Sequence, residues 1–256
     1  MHNFLLFQQR PYLAKHRFFP FSEYLKEHFP YKVYKIPLHA GFTCPNRDGR
    51  AGEGVVPYCT NDSFSPNVQG PRIPIKEQVE RGKAFHRKRY CTEKFIVYFH
   101  SFTNTYADVE TLRQYYDEAL GEKDVIGISI ETRPDCVTDE ILDLIYNYTG
   151  KYPVWIEYGL QTIPDNPLRH INRGHDYKIF YDTVTPTKKL RFIHACMLIR
   201  SLLILPQNLS EFIITYTPFC FSIRLRKHYI NSNISKTTTH FIYFLKFVGR
   251  VLFQCY

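Results

Sequence analysis

The stretch DVIGISIETRPDCVTDEILDLIYNYTG, residues 124–150, joins a nearly continuous apolar run to an amphipathic helical pattern. Apolar runs such as DVIGISIE (124–131) are typical of strands that are buried on both faces of a parallel sheet. The segment that follows (138–150) predicts a helix with Thr138 as its N-cap, acidic residues in its first turn and Gly150 after its end. A strand followed by a helix is one βα unit, and this unit indicates the fold class.

The same unit occurs four times between residues 31 and 190. Strands are predicted at 31–38, 94–100, 124–131 and 152–161, and helices at 75–90, 106–121, 138–150 and in a stretch that includes 177–190. In the first of these helices, Ile75, Val79 and Phe85 are expected on the apolar side. Four successive units predict an α/β fold with a parallel sheet and right-handed crossovers, either a barrel or a doubly wound sheet.

Composition points to a globular protein of the cytoplasm. The 256 residues are 44% hydrophobic, which is ample for a buried core. The N-terminal residues lack the pattern of a signal peptide, and the seven cysteines are irregularly spaced, so we expect reduced thiols rather than a disulfide framework. No apolar run reaches the roughly 18 residues of a membrane span, and we expect no membrane association.

The net charge of +9 is concentrated near the C-terminus. Residues 191–256 carry eight basic side chains and only one acidic side chain, Glu211, and they contain a single glycine, Gly249. Residues 191–256 are therefore predicted to be a divergent basic tail. A basic tail without a binding motif is weak evidence for a nucleic-acid partner.

Two cysteines flank a glycine-rich loop after the first predicted strand. Cys44 and Cys59 lie fifteen positions apart in HAGFTCPNRDGRAGEGVVPYC (39–59). In βα folds the loops at the carboxyl ends of the strands carry the functional sites. The spacing alone leaves two interpretations open, an iron–sulfur loop or two buried structural thiols.

Polar side chains also follow the third and fourth strands. Glu131 and Arg133 are two positions apart, so their side chains point to the same face of the sheet. Gln161 ends the fourth strand, and Arg173 follows twelve residues later. From the pattern alone these residues are either a cofactor site or an ordinary interior ion pair, a strand-end amide and a solvated charge.

Four separated motifs carry a resemblance to a known family. They are HAGFTCPNRDG (39–49), SFTNTYADVETL (101–112), ISIETRPDCVTDEILDLI (128–145) and WIEYGLQT with INRGHD (155–162 and 171–176). In this order they resemble the elongator-protein-3-like radical S-adenosylmethionine (SAM) proteins, in particular the bacterial subfamily with the CPNRDG loop. The resemblance implies a partial (β/α)6 barrel over residues 23–190, with four βα units recognisable, after an N-terminal extension (1–22).

The resemblance also implies a [4Fe–4S] cluster that is held by three cysteines in the pattern C-x11-C-x2-C. Cys44 matches the first ligand and Cys59 the third, but the second falls on Val56, which offers no lone pair to iron. Val55 stands where the family has glycine. Replacement of the missing ligand by His39, Asp62 or a distant thiol such as Cys91 is left open.

The same resemblance implies the residues that bind SAM. Glu131 would contact the ribose or the amino group, Arg133 would lie nearby, and Gln161 and Arg173 would serve the amino-acid end, with Arg173 on the carboxylate. The family reaction is the reductive cleavage of SAM to a 5′-deoxyadenosyl radical. It implies an electron donor such as flavodoxin or ferredoxin and a substrate for which RNA is suggested by analogy.

The ending of the chain departs from the family pattern. A fifth strand with an H-x-I-x-G-L-P-G-E-like segment is expected, but in RFIHACMLIRSLLILPQNLSE (191–211) only Leu205 and Pro206 match it. We therefore hypothesise a shifted reading frame near residues 185–195, which translation of the coding DNA in the other two frames tests. The alternative to an active enzyme is a degenerate, non-catalytic relative or the product of a damaged gene.

Overall fold

Five parallel strands form one sheet in the order in which they occur along the chain. The computed structural model describes residues 20–52, 54–57, 59, 67–68, 71–187 and 193–198. The strands are β1 (Val33–Leu38), β2 (Lys94–Phe99), β3 (Val125–Thr132), β4 (Val154–Gln161) and β5 (Ile193–Leu198). The helices are α1 (Phe21–His28), α2 (Ile75–Tyr90), α3 (Val109–Leu120), α4 (Asp139–Tyr148), α5 (Asp165–His170) and α6 (Tyr177–Thr187), with a 3-10 turn at Pro134–Cys136.

The packing of the helices distinguishes a barrel from a doubly wound sheet. Helices α2, α3, α4 and α6 all contribute side chains to one apolar core, together with alternate residues of β1 to β4 such as Leu38, Val97, Ile130 and Ile156. A doubly wound sheet would place helices on both faces and reverse its strand order. The sequential order and the shared core establish the arrangement of a partial (β/α) barrel, as the sequence resemblance implies.

A smaller apolar cluster lies on the inner face of the sheet. Tyr24 and Leu25 of α1 pack there against Val33, Ile96 and Trp155, which come from the amino-terminal halves of three strands. Helix α1 therefore closes the inner face at the end opposite to the strand carboxyl termini.

The predicted elements agree closely with the structure. The Thr138 side chain accepts a hydrogen bond from the Ile141 N–H, as expected for the N-cap of α4. Strand β5, which pairs with β4 from Trp155 to Gln161, lies in the stretch where the resemblance implies a fifth strand. The local pattern alone did not predict it, because its sequence lacks the glycine and turn signals that mark the other units. The expected position of Phe85 was wrong, since this side chain is 57% exposed whereas Ile75 and Val79 are buried.

Two predicted segments fall largely outside the described residues. The N-terminal extension (1–22) is described only from residue 20, and the basic tail (191–256) only at 193–198. Leu205 and Pro206 lie outside the described residues. Of the range 185–195, where the frame shift is hypothesised, residues 188–192 lie outside them as well.

The buried His86 on α2 makes the stability of the fold depend on pH. Its ring lies against the rings of Tyr34 and Tyr90, at 5.3 and 5.6 Å between centroids, and its side chain is buried. Burial lowers the pKa of His86 to about 4. Between its unfolded pKa of about 6.5 and this value, the unfolded chain binds the proton and the folded chain does not, so stability is lost as the pH falls.

Replacement of His86 by phenylalanine tests this dependence. Between about pH 7 and about pH 4.5 the wild-type chain should lose roughly 2 kcal/mol more stability than His86→Phe. Urea unfolding at both pH values measures the difference. His170→Gln, at the exposed end of α5, is the matched control and should keep the wild-type loss; an equal loss in His86→Phe would contradict the prediction.

Candidate functional site

The carboxyl ends of β1, β2 and β3 and the loops after them are joined by backbone hydrogen bonds. The His100 N–H donates to the Leu38 carbonyl at 3.1 Å, and the Thr103 N–H donates to the Thr43 carbonyl at 3.2 Å. The Asn104 N–H donates to the Glu131 carbonyl at 3.2 Å. The residues that follow these strands therefore lie at one edge of the sheet, where βα folds carry their sites.

The cysteine loop returns to this edge through a tight turn. Cys44 is buried and Cys59 is partly buried, and the Cys59 N–H donates to the Val56 carbonyl at 2.9 Å. Val56 is only 3% exposed, whereas Val55 is 50% exposed. The turn thus directs the side chain at position 56 inward and the side chain at position 55 toward solvent.

The thiols of Cys44 and Cys59 interact electrostatically. Burial raises the pKa of Cys59, the guanidinium of Arg47 opposes this rise, and the charge of Cys44 adds to it. Cys44 and Cys59 therefore lie within range of an electrostatic interaction, although fifteen positions separate them.

The residues present do not fit a cluster that needs three thiolates. Within the described part of the chain, no three His, Cys, Asp or Glu side chains form a group that could hold a metal ion. Val56 occupies the inward position beside Cys59. A further thiol, Cys136, also interacts with Cys44, but burial and the neighbouring Asp135 carboxylate raise its pKa to about 12, so it stays protonated.

The three residues considered as replacements for the missing ligand are His39, Cys91 and Asp62. The backbone N–H and carbonyl of His39 are both hydrogen-bonded to the Gln78 side chain. The imidazole ring of His39 lies 5.4 Å from the ring of Phe102 between centroids. Cys91 is exposed at the end of α2, near the amino-terminal edge of the sheet. Asp62 lies outside the described residues.

Glu131 lies at the end of β3 as an ionised carboxylate. Its Oε2 atom is hydrogen-bonded to His100 Nδ1, and the Tyr98 hydroxyl oxygen lies 3.4 Å from the same atom. Burial works to raise the pKa of Glu131, but His100 and the Ser101 N–H outweigh it and hold the pKa below its ordinary value. One fifth of the side chain is exposed, so this charge is accessible from the carboxyl edge.

Arg133 is almost fully buried and is engaged by protein groups. Its Nε and Nη2 atoms donate to the Asp135 carboxylate at 2.8 and 2.7 Å, and Nη1 donates to Asn46 Oδ1. The same Nη1 atom lies 3.9 Å from Cys44 Sγ. The guanidinium thus links the third strand to the cysteine loop.

Gln161 and Arg173 meet at the end of β4. Arg173 Nη2 donates to the Gly159 carbonyl at 2.8 Å, and Nε donates to His175 Nε2 at 2.9 Å. A Cβ at position 159 would lie 2.8 Å from both Arg173 Nη2 and Gln161 Nε2, so only glycine lets them approach this closely. Burial, with the Arg173 charge, lowers the pKa of His175 to about 4, which leaves its ring neutral as an acceptor.

Several buried polar atoms at this edge have no hydrogen-bond partner among the described residues. Gln161 is 5% exposed, its backbone is left-handed with φ of 72°, and its Oε1 atom is unpaired. The other such atoms are Ser101 Oγ, Thr103 Oγ1 and Thr162 Oγ1. Because an unsatisfied buried polar atom and a left-handed non-glycine residue are both costly, their accumulation here fits a ligand rich in hydrogen-bonding groups, such as SAM.

Sequence reasoning missed a buried polar layer below this edge. Lys35 of β1 is ion-paired with Glu157 of β4, and Ser129 Oγ and the Tyr98 hydroxyl donate to the same carboxylate at 2.5 and 3.1 Å. A signal did exist, because Lys35 and Glu157 occupy inward positions of the strand alternation and Glu157 pairs in register with Glu131.

None of the helices in the described residues has both the length and the apolar composition needed to cross a membrane.

Comparison with known proteins gives a consistent result. A model of the Radical SAM superfamily matches residues 57–217. YhcC of Escherichia coli K12 is 37% identical over 173 residues, which are 67% of this chain and 54% of YhcC. YtqA of Bacillus subtilis is 35% identical over 173 residues, which are 68% of this chain and 54% of YtqA. The chain therefore spans about half the length of these curated relatives.

Among solved structures, the archaeal Elp3 of Methanocaldococcus infernus with an N-terminal deletion is 15% identical. The match covers 66% of this chain and 38% of that one, with a TM-score of 0.43. This similarity is weak, and the assignment depends on the sequence matches. The superfamily model covers more than half of the chain and agrees with its partial barrel, and the chain belongs to the Radical SAM superfamily.

Proposed function

We propose that this chain is a cytoplasmic SAM-binding protein that does not by itself assemble the [4Fe–4S] cluster of its superfamily. The observation that carries the proposal is the buried Val56 side chain on the turn with Cys59, where a third thiolate is required. An iron site with two thiolates is labile. Without a cluster, the chain is expected to bind SAM and to leave its C–S bonds intact.

The carboxyl edge of the sheet supplies groups for the two ends of SAM. The ionised Glu131 carboxylate would accept hydrogen bonds from the ribose hydroxyls or the amino group. Arg173 would meet the carboxylate, and the unpaired Gln161 Oε1 would accept from the amino group beside it. Arg133 belongs to the same edge, but its donors are directed to Asp135 and Asn46.

Binding of SAM to the iron-free chain tests the first half of the proposal. Isothermal titration calorimetry of the full chain should detect binding, and Glu131→Gln should weaken it about tenfold, because the charged acceptor is replaced by a neutral amide. Glu110→Gln, on an exposed carboxylate of α3, is the matched control and should bind as the wild type does. Absence of binding in the wild type, or an unchanged affinity in Glu131→Gln, would refute the assignment.

Iron content tests the second half. After anaerobic reconstitution with iron and sulfide, the wild-type chain should retain well under the about four irons of a complete cluster. Values near four, with SAM cleavage under a reductant, would support a second candidate function, the reductive cleavage reaction of the superfamily. The proximity of Cys44 and Cys59 favours that candidate, with a flavodoxin or ferredoxin as electron donor and RNA as a substrate by analogy.

A further inference from the structure

Arg133 has the contacts of a residue that holds protein segments together. It is among the largest side chains that are fully buried, and three of its nitrogen atoms are engaged by Asp135 and Asn46. A buried guanidinium is stable only when its donors are satisfied, because its desolvation is costly. The fork on Asp135 fixes the plane of the guanidinium, and this plane directs Nη1 to the cysteine loop.

Asn46 links Arg133 to the segment at Asn172. While its Oδ1 atom accepts from Arg133, its Nδ2 atom donates to the Asn172 carbonyl at 2.6 Å. Asn172 in turn donates through Nδ2 to the Gly54 carbonyl at 2.8 Å. The chain of contacts therefore begins two residues after Cys44 and returns to the loop two residues before Val56.

The backbone at Gly52 allows the close approach of Asn46 and Asn172. Gly52 has a φ of +72°, and a Cβ there would lie 2.6 Å from Asn172 Oδ1 and 2.7 Å from Asn46 Nδ2. A side chain at position 52 would push the loop away from both amides. Asn46, Gly52 and Gly54 of the loop thus lie against the segment at Asn172, with polar contacts from Asn46 and to Gly54.

We propose that Arg133 is a positioning residue that acts through Asn46 and Asn172 to hold the cysteine loop closed on the sheet in the absence of any bound group. This gives Arg133 a role other than the cofactor contact implied by the family resemblance. It does not depend on whether the chain binds SAM or iron. The Cys44 thiol, 3.9 Å from the guanidinium, is shielded from solvent by the same closure.

The accessibility of the loop in the iron-free chain tests this role. Arg133→Lys cannot form the fork on Asp135 and reach Asn46 at once. We expect alkylation of Cys44 by iodoacetamide and tryptic cleavage after Arg47 and Arg50 to become at least about tenfold faster. Peptide mass spectrometry measures each position separately, and the buried Cys196 on β5 is an internal reference that should not change.

Two further variants separate positioning from overall stability. Asn46→Asp keeps the acceptor for Arg133 but loses the donor to Asn172, so hydrogen exchange should increase at 52–56 and 172–174 while Cys44 stays protected. Asn46→Leu loses both contacts and should expose Cys44 as Arg133→Lys does. Arg113→Lys, an exposed arginine of α3, is the matched control and should leave the loop unchanged.

The outcomes decide between two roles for Arg133. Faster reaction confined to the loop and the Asn172 segment, with β2 and β3 still protected from hydrogen exchange, would establish the positioning role. Equal loss of protection throughout the sheet would show that Arg133 only stabilises the fold, and unchanged Cys44 reactivity in Arg133→Lys and Asn46→Leu would show that it holds nothing closed. Either result would overturn the proposal.

Discussion

Val56→Cys is expected to raise the iron content of the anaerobically reconstituted chain to about four per chain and to produce the absorption of a [4Fe–4S] cluster. Position 56 is buried on the turn that the Cys59 N–H closes on the Val56 carbonyl. A thiol there would enter the C-x2-C spacing with Cys59, and Cys44 already interacts with Cys59. By the family pattern, the variant supplies the second cysteine of the set that includes Cys44 and Cys59.

The neighbouring valine is a close control for this experiment. Val55 is 50% exposed, so the thiol of Val55→Cys would point to solvent and should leave iron at the wild-type level. Val56→Ser, similar in size to cysteine but without a thiolate, should do the same. Equal iron in Val55→Cys and Val56→Cys, or no gain in either, would show that position 56 is not the site of the missing ligand.

Lys35→Met is expected to destabilise the fold by about 3–5 kcal/mol, because it leaves the Glu157 carboxylate buried without its cation. Both side chains of this pair are at most 5% exposed. The Ser129 and Tyr98 hydroxyls still donate to the carboxylate after the substitution, but neither neutralises its charge. The loss should appear as a lower free energy of unfolding in urea titrations near neutral pH.

A double variant separates the charge from the volume. Lys35→Met with Glu157→Leu removes both charges, and we expect it to recover most of the stability that Lys35→Met loses. Lys178→Ala, which breaks the exposed pair with Asp182, is the surface control and should cost under about 1 kcal/mol. A double variant as unstable as the single one would mean that the lysine stem, and not the charge balance, stabilises this layer.

Local patterns were sufficient for strands β1 to β4 and for helices α2, α3, α4 and α6, but not for the short helices α1 and α5. The apolar run at 124–131 and the capped helix after it correspond to β3 and α4 in the structure, and the other three units also agree. The pattern was not sufficient for β5, whose strand is established by pairing with β4 and not by punctuation in its own sequence. Phe85 was assigned to the wrong side because 79 and 85 are six positions apart, which is not a helical repeat.

Only part of the candidate site could be predicted from the sequence pattern. Strand ends and loop spacing singled out Cys44, Cys59, Glu131 and Gln161, since these positions are defined along the chain. The partners of these residues were not accessible, because a hydrogen bond between Arg133 and Asn46 joins positions 87 apart and depends on rotamers and on the path of a loop. The contact between His100 and Glu131 is likewise shown only by the structure.

The sequence by itself therefore determined the parallel α/β fold and the presence of valine at position 56, where the family resemblance implies a cysteine, because periodicity and residue identity are local properties. The tertiary structure decided between the barrel and the doubly wound sheet that the pattern left open, because it places α2, α3, α4 and α6 on one face. It also showed that Lys35 meets Glu157 across 122 positions and that Arg133 is directed to the cysteine loop. Each of these depends on which side chains share a buried volume, and a buried charge is stable only with the partner that the whole fold brings to it.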